Sequence, residues 1–138
     1  MSGELAIHHL GGGLGLGPNP FGRDVANLAL CRAFARHGGF DLLHMLTAIE
    51  TPAADIAEAL RGPDPLTTRI ETGSLLELGQ ARQAGTLFRG KADLAELAWA
   101  RRGAGLDGAY SLAGLIHTIA PPLTREEIAQ ASLAPVHP

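Results

Sequence analysis

Short apolar segments alternate with helical patterns along the first third of the chain. Residues 4–10 (ELAIHHL) form an apolar run that ends at a glycine cluster, which is typical of a buried strand. Residues 21–37 have helical spacing and stop at two glycines, which predicts an amphipathic helix. Residues 41–49 (DLLHMLTAI) form a second apolar run of strand length. This order of strand, helix and strand is that of a βαβ unit.

The helix over residues 21–37 is expected to bury one side. Arg32 and Arg36 mark the solvent side of the helical projection. The side predicted to face the core carries Ala26, Leu30, Ala33, Phe34 and His37.

The rest of the chain continues the alternation. The predicted elements are a helix at 53–60, a strand at 67–72, a helix at 75–84, a strand at 86–89, a helix at 92–102 and a strand at 109–119. The last strand is almost wholly apolar until His117, so we expect it to be buried on both faces. A capping box formed by Thr124 and Glu127 predicts a final helix. Strands that alternate with helices, without a hairpin signal, predict an α/β fold of three layers around a mostly parallel sheet.

Composition narrows the class of protein. The 138 residues, 46% hydrophobic and 18% charged, can bury a core, and residues 1–138 are predicted to form a single domain. A net charge of −3 without a basic run of sequence disfavours a nucleic-acid partner. The single cysteine, Cys31, excludes an internal disulfide, fits a cytoplasmic location and is expected to lie in the core.

Membrane and secretion signals are weak. The apolar run near the N-terminus has no basic segment before it and contains histidines and glycines, so it does not predict a signal peptide. Apolar runs without charge, glycine or proline are shorter than the roughly 18 residues of a transmembrane helix. We therefore expect a soluble protein or one that makes only peripheral contact with a membrane.

The glycine-rich segment 11–20 (GGGLGLGPNP) is a candidate ligand loop. Glycines after a first parallel strand let backbone N–H groups approach a phosphate at the start of the next helix. Its spacing does not fit the dinucleotide fingerprint G-x-G-x-x-G. The segment from Gly17 to Gly22 has P-loop spacing, but Arg23 and Asp24 stand where an ATPase needs Lys and Ser or Thr. The loop either contacts a ligand or merely connects strand and helix.

The histidines do not predict a metal site. His8 and His9 are adjacent in a strand and point to opposite faces, and the others lack a partner at ligand spacing. Glu50 and Glu58 have E-x7-E spacing, but a proline between them argues for two solvated carboxylates. His117 is different, because it closes a strand at the same sheet edge as the glycine loop. It either serves a site or is a strand end in solvent.

Two stretches resemble a known enzyme family. Residues 5–40 (LAIHHLGGGLGLGPNPFGRDVANLALCRAFARHGGF) resemble the first strand, glycine loop and first helix of GT-B glycosyltransferases of the family 4 type. Residues 110–118 (YSLAGLIHT) resemble a later strand of the same N-terminal domain, which ends in a histidine followed by a small or acidic residue. The resemblance implies a Rossmann-like N-terminal domain that mainly holds the acceptor, while a second, similar domain holds the nucleotide-sugar donor.

The resemblance also implies site residues. Gly12, Gly13 and Leu14 would lie near the donor phosphates or the transferred sugar, and His117 with Thr118 would contact the reacting sugars. No metal ion or other cofactor is implied. Because the donor domain of the family is missing from this sequence, we expect a truncated enzyme that is inactive alone. Its partners would be a nucleotide-sugar and a sugar or lipid-linked acceptor, and its uncovered interdomain face would allow self-association. The alternative is a stand-alone α/β module that binds a small anionic ligand or a protein partner.

Overall fold

The computed structural model describes residues 3–9, 14, 18 and 20–135. Strands and helices alternate through this part of the chain. Their bounds are β1 (Glu4–His9), α1 (Gly22–His37), β2 (Leu42–Thr47), α2 (Ala53–Leu60), β3 (Arg69–Ser74), α3 (Leu78–Ala84), β4 (Thr86–Arg89), α4 (Ala95–Gly103), β5 (Ser111–Gly114) and α5 (Pro122–Ala131). None of the described helices is long and apolar enough to cross a bilayer.

The strands form a single parallel sheet with helices on both faces. The five strands have the order β3-β2-β1-β4-β5, and every neighbouring pair is parallel. The prediction of an α/β fold with a parallel sheet is therefore confirmed, and the architecture is Rossmann-like with three layers.

Alternating side chains of β1 supply both halves of the core. Leu5 and Ile7 pack with buried residues of α1 and α2, such as Leu28 and Ile56. Ala6 points to the other face, where it packs with residues of α3, β4 and α4. All six residues of β2 are buried, which agrees with the almost continuous apolar run in its sequence.

The strand predicted at residues 109–119 is the largest error in the sequence reading. β5 contains four residues, two of which are exposed, and among the described strands it pairs with β4 alone, at the edge of the sheet. The ladder ends at the pair Arg89 and Gly114 because β4 itself ends there. Just beyond, the backbone N–H of Leu115 donates to Lys91 O at 3.1 Å. The apolar sequence therefore reflects an edge strand and a loop, and His117 lies in that loop.

Two helix details also differ from expectation. α5 begins at Pro122 with Pro121 as the cap residue, so Thr124 lies inside the helix and the predicted capping box is wrong. Proline at the first helical position lacks an N–H that would have no partner there, which favours this earlier start. The buried side of α1 is also different from the predicted one, because it consists of Leu28, Cys31 and Ala35. Apolar residues surround much of α1, so their spacing does not single out one side.

Thr68, just before β3, links the end of α1 in the helix layer to the segment that leads into β2 of the sheet. Its hydroxyl oxygen lies 2.8 Å from Ala35 O at the end of α1 and 2.7 Å from Phe40 O before β2. The side chain is buried, so the Thr68 hydroxyl donates the hydrogen bond that water would otherwise donate to these carbonyl oxygens. One proton serves two acceptors, and it can be given to only one of them at a time.

Replacing Thr68 with valine should destabilise the protein. The substitution keeps the shape and removes the donor, which should lower the free energy of unfolding by about 1–3 kcal/mol. Urea denaturation would measure this change. Thr67→Val is the matched control. Thr67 is exposed, and its replacement leaves the hydrogen bonds of the Thr68 hydroxyl to Ala35 O and Phe40 O intact. Equal stability of the two variants would contradict the role given to the Thr68 hydroxyl.

Candidate functional site

The strand order reverses its direction across the sheet between β1 and β4. From β1 the chain passes through α1 to β2 on one side, whereas β4 lies on the other side of β1 and leads to β5. Connections that leave in opposite directions open a crevice at the carboxyl ends of the two strands, and ligands of open α/β sheets bind there. Of the residues predicted near it, Gly12 and Gly13 lie outside the described residues. Leu14 is buried in the core cluster of β1 and α1.

A cavity of about 340 Å³ lies at this edge of the sheet. It is formed by the start of α1, the loops after β4 and β5, and the first turns of α5. The lining residues are Phe21, Arg23, Lys91, Ala92, Leu115, His117, Thr118, Pro121, Thr124 and Glu127. His117 and Thr118, both predicted as site residues, thus line one cavity. Its volume is within the usual range of small-molecule sites, roughly 300–1,000 Å³.

The cavity combines two cationic side chains with one carboxylate, Glu127. Arg23 also contacts Asp24, with 3.7 Å between Nε and Oδ1, and Lys91 Nζ lies 3.0 Å from Asp93 Oδ2. Two helices begin at the cavity, and within the described chain neither α1 nor α5 has a side-chain hydrogen bond at its cap residue. Backbone N–H groups at such helix starts favour negative charge. The two helix starts therefore suit an anionic group, which would compete with Asp24 and Asp93 for the two cations.

His117 is held by two hydrogen-bond acceptors. Its Nε2 atom lies 3.1 Å from Asn27 Oδ1 and 3.0 Å from Gly90 O. The Asn27 amide in turn donates from Nδ2 to Gly90 O at 3.1 Å. Because both neighbours of Nε2 are acceptors, the neutral ring carries its proton on Nε2 and keeps a lone pair on Nδ1. The ring can then accept a hydrogen bond from a ligand hydroxyl through Nδ1.

Gly90 is required by this arrangement. A Cβ atom at position 90 would lie 2.5 Å from Asn27 Oδ1 and 2.6 Å from Nδ2. Any side chain there would push the Asn27 amide away from His117. The loop after β4 thus positions the histidine from the end of a different strand.

A buried polar cluster lies beside the cavity, where β1 meets β4. His8 and Arg89 are register partners on the two strands, and both side chains are buried. Arg89 Nη2 lies 3.1 Å from Asp93 Oδ2, and Arg89 Nη1 lies 3.5 Å from Glu96 Oε2. Through Asp93 the cluster connects to Lys91, which lines the cavity.

Three polar atoms of this cluster are buried and unpaired. His8 Nδ1, Arg89 Nε and Asp93 Oδ1 have no hydrogen-bond partner among the described residues. Burial, followed by the positive charge of Arg89, lowers the pKa of His8 from 6.5 to about 4, so the imidazole is neutral at pH 7. An unsatisfied buried donor or acceptor typically costs about 1–3 kcal/mol, so three in one place call for a physical reason.

Other residues singled out from the sequence lie away from the cavity. Cys31 is buried, and burial raises the pKa of its thiol to about 11, which fits the predicted core role. Glu50 and Glu58 are exposed, as expected for solvated carboxylates. His44 is fully buried, with Nε2 2.9 Å from Glu4 Oε2. Within the described ranges, no group of three or more His, Cys, Asp or Glu could hold a metal ion.

The sequence did not predict that Arg23, Asn27 and Lys91 belong to the candidate site. Lys91 follows the short strand β4, and parallel strands end at one edge, so its position after a strand was a usable signal. Arg23 was noted only as a misfit to the P-loop. Asn27 had no sequence signal, because its role depends on the loop after β4 coming close to α1.

Comparisons with protein-family models, with curated proteins and with solved structures found no match to this chain. The resemblance to glycosyltransferases thus stays a prediction, and the chemistry of the site has to support it.

The hydrogen-bonding of His117 can be tested by NMR. At pH 8 the long-range proton–nitrogen spectrum should show the tautomer protonated on Nε2, because two acceptors hold that proton. Asn27→Ala removes one acceptor and should raise the fraction protonated on Nδ1. His37 is exposed on α1 and serves as the internal control, since its signals should not change. A wild-type ring protonated mainly on Nδ1 would contradict the arrangement.

His8 should make stability depend on pH. The unfolded chain binds a proton at this histidine near pH 6.5, but the folded chain does so only near pH 4. The contribution is therefore complete above about pH 6.5 and is lost as the pH falls toward 4, by at most about 3 kcal/mol.

The comparison that isolates this effect is between wild type and His8→Asn, whose amide does not titrate. Urea denaturation at pH 7.5 and pH 4.5 should show a smaller loss for the variant. If both proteins lose the same free energy over that interval, His8 does not bind its proton as the structure indicates.

Proposed function

We propose that this chain is the acceptor-side domain of a glycosyltransferase that uses a nucleotide-sugar donor. The observation that carries the proposal is the cavity at the carboxyl edge, where His117 and Thr118 lie beside two cationic side chains. Positive charge and helix starts would stabilise the departing nucleoside diphosphate, and that is the main electrostatic task in such a transfer. The fold supports the proposal, because a Rossmann-like sheet binds ligands at this edge.

The position of His117 supports contact with the reacting sugars. The neutral ring offers Nδ1 as an acceptor while Nε2 is held by Asn27 and Gly90. A sugar hydroxyl is a donor that such an atom can bind without a change of protonation. Gly12 and Gly13 keep their proposed place near the donor phosphates through the family resemblance alone, whereas Leu14 packs in the apolar core.

Exposed apolar residues near the cavity support a second domain. The apolar side chains of Phe21, Ile116, Ile119 and Leu123 are 75%, 52%, 63% and 63% exposed. Phe21, at the start of α1, lines the cavity, and the other three lie between β5 and the first turn of α5, next in sequence to residues that line it. A donor-binding domain that closes over this edge would cover them. Without it, we propose that the same surface favours self-association or a peripheral membrane contact.

Removing the cationic side chains should weaken binding of UDP-glucose. The probe would be titrated into the protein while NMR follows the signals of His117 and Thr118. Arg23→Ala and Lys91→Ala should each weaken binding about tenfold or more, since a hydrogen bond to a charged group contributes about 1.5–3 kcal/mol. Raising the salt concentration should weaken binding in wild type too.

Arg82→Ala is the control variant, because Arg82 is an exposed arginine on α3 outside the cavity. Absence of any UDP-glucose effect on His117 and Thr118, or equal weakening by the control, would contradict the proposal. Orthophosphate serves as the second probe. If it binds as tightly as UDP-glucose, a stand-alone module for a small anion explains the cavity better than a glycosyltransferase domain.

A further inference from the structure

We propose that a second cavity, between α4, β5 and the end of α5, binds a small monocarboxylate with an apolar body. The cavity has a volume of about 420 Å³, which is within the usual range of small-molecule sites, roughly 300–1,000 Å³. Its lining residues are Gly85, Leu94, Ala95, Ala98, Arg101, Gly108, Ala109, Tyr110, Ser111, Leu112, Ala131 and Ala134. None of these described residues lines the cavity at the carboxyl edge, so the proposal does not rest on the glycosyltransferase function.

A buried guanidinium without a carboxylate partner lines this second cavity. Arg101 is 4% exposed, and it forms no ion pair with a carboxylate of the described chain. Arg89 is just as buried, but it is paired with Asp93 and Glu96. An arginine stays charged when it is buried, and a buried charge is costly unless an opposite charge compensates it. Arg101 therefore offers an uncompensated positive charge to an anion in the cavity.

Backbone carbonyl groups hold the guanidinium of Arg101 in place. Its Nη1 atom donates to Tyr110 O at 2.6 Å, and its Nη2 atom donates to Pro135 O at 3.3 Å. These bonds use two of the five N–H donors of the group, and Nε is buried without a partner in the described chain. Because Nε is enclosed, the proposed attraction comes from the charge of the whole guanidinium, which acts over several ångströms where the dielectric constant is low.

Tyr110 lies beside the guanidinium in the same cavity wall. The Cζ atom of Arg101 is 5.7 Å from the centroid of the Tyr110 ring. Burial raises the pKa of the Tyr110 hydroxyl, although the charge of Arg101 acts in the opposite direction. The hydroxyl is therefore protonated at neutral pH and does not neutralise Arg101. The described lining residues also include no aspartate or glutamate, so this end of the cavity has a net positive charge.

Most of the remaining wall is apolar and consists of small side chains. The apolar lining residues are Leu94, Ala95, Ala98, Ala109, Leu112, Ala131 and Ala134. An alkyl group that packs against them would be removed from water, while a carboxylate at its end would lie beside Arg101. A phosphate monoester would bring a second negative charge, which one guanidinium does not compensate. The wall therefore favours a ligand with one negative charge and an apolar body.

The first test compares hexanoate with hexanamide, which has nearly the same shape but no charge. Tyr110 is the one tyrosine of the sequence, so its ring signals in an NMR titration report on the cavity without ambiguity. Hexanoate should shift these signals and should bind about tenfold tighter than hexanamide, since hydrogen bonds to charged groups are the stronger ones. Butanoate, octanoate and decanoate establish which chain length fits. The signals of His117 at the carboxyl edge should not change.

Arg101→Met removes the charge and keeps an unbranched side chain. It should weaken the binding of hexanoate about tenfold or more and leave the binding of hexanamide unchanged. Arg102→Met is the matched control. Arg102 is the next residue on α4, is exposed, pairs with Asp107 and does not line the cavity. Hexanoate should bind to this control as it does to wild type.

A second variant leaves the hydrogen bonds of Arg101 intact, because Arg101→Met also removes two bonds that support the fold. Ala131→Leu places a larger side chain in the cavity from the end of α5 and should abolish the binding of both hexanoate and hexanamide. Unchanged signals of His117 would show that this variant is folded. Ala129→Leu is its control, since Ala129 is exposed on the same helix and lies outside the lining.

Three results would overturn the proposal. The first is no shift of the Tyr110 signals with any of the carboxylates. The second is equal affinity of the wild-type protein for hexanoate and hexanamide. The third is hexanoate binding that Ala131→Leu leaves unchanged, which would mean that Arg101 only joins α4 to the start of β5 and to the segment after α5.

Discussion

The pairing of β1 along both of its edges is the constraint on which the rest of the structure depends. Glu4–His9 pairs in full register with β2 on one side and at three positions with β4 on the other. Because both partners are parallel, each connection has to cross a face of the sheet, and helices cover both faces. The same pairing places the ends of β1 and β4 side by side, where the chain continues to β2 on one side of β1 and to β5 on the other. The core and the candidate site therefore both depend on the pairing of β1 with β2 and β4.

The length of β4 determines which residues lie at the carboxyl edge of the sheet. β4 has only four residues, so Arg89 is its last residue, and Gly90 and Lys91 already belong to the loop. β5 ends in step with it at Gly114. The two loops then run side by side, which brings His117 within hydrogen-bonding distance of Gly90 O. A longer β4 would have carried the loops apart and placed these groups elsewhere.

Sequence reasoning predicted the order of the elements well, and it failed where tertiary position decides the outcome. α2 and β4 have the predicted bounds, because their apolar spacing and flanking turn residues agree. The apolar run at 109–119 could not reveal that its strand lies at an edge with a short partner. Likewise, α1 is apolar on more than one side, so the buried stripe of Leu28, Cys31 and Ala35 depends on how the helix is set against the sheet.

The residues of the candidate site also divide into those that the sequence predicts and those that depend on tertiary position. His117 could be found from the sequence, because it follows an apolar strand and parallel strands end together. The cluster of His8, Arg89 and Asp93 could not, since it depends on the register of β1 with β4 and on α4 starting just beyond. In the sequence, His8 is one of two adjacent histidines, and only burial distinguishes it. A buried neutral imidazole beside an arginine is costly for the fold, whereas the fully bonded His44 on the neighbouring strand is not. The two histidines differ in their partners: His44 is bonded to Glu4 and Gln80, whereas His8 keeps a buried Nδ1 without a partner among the described residues.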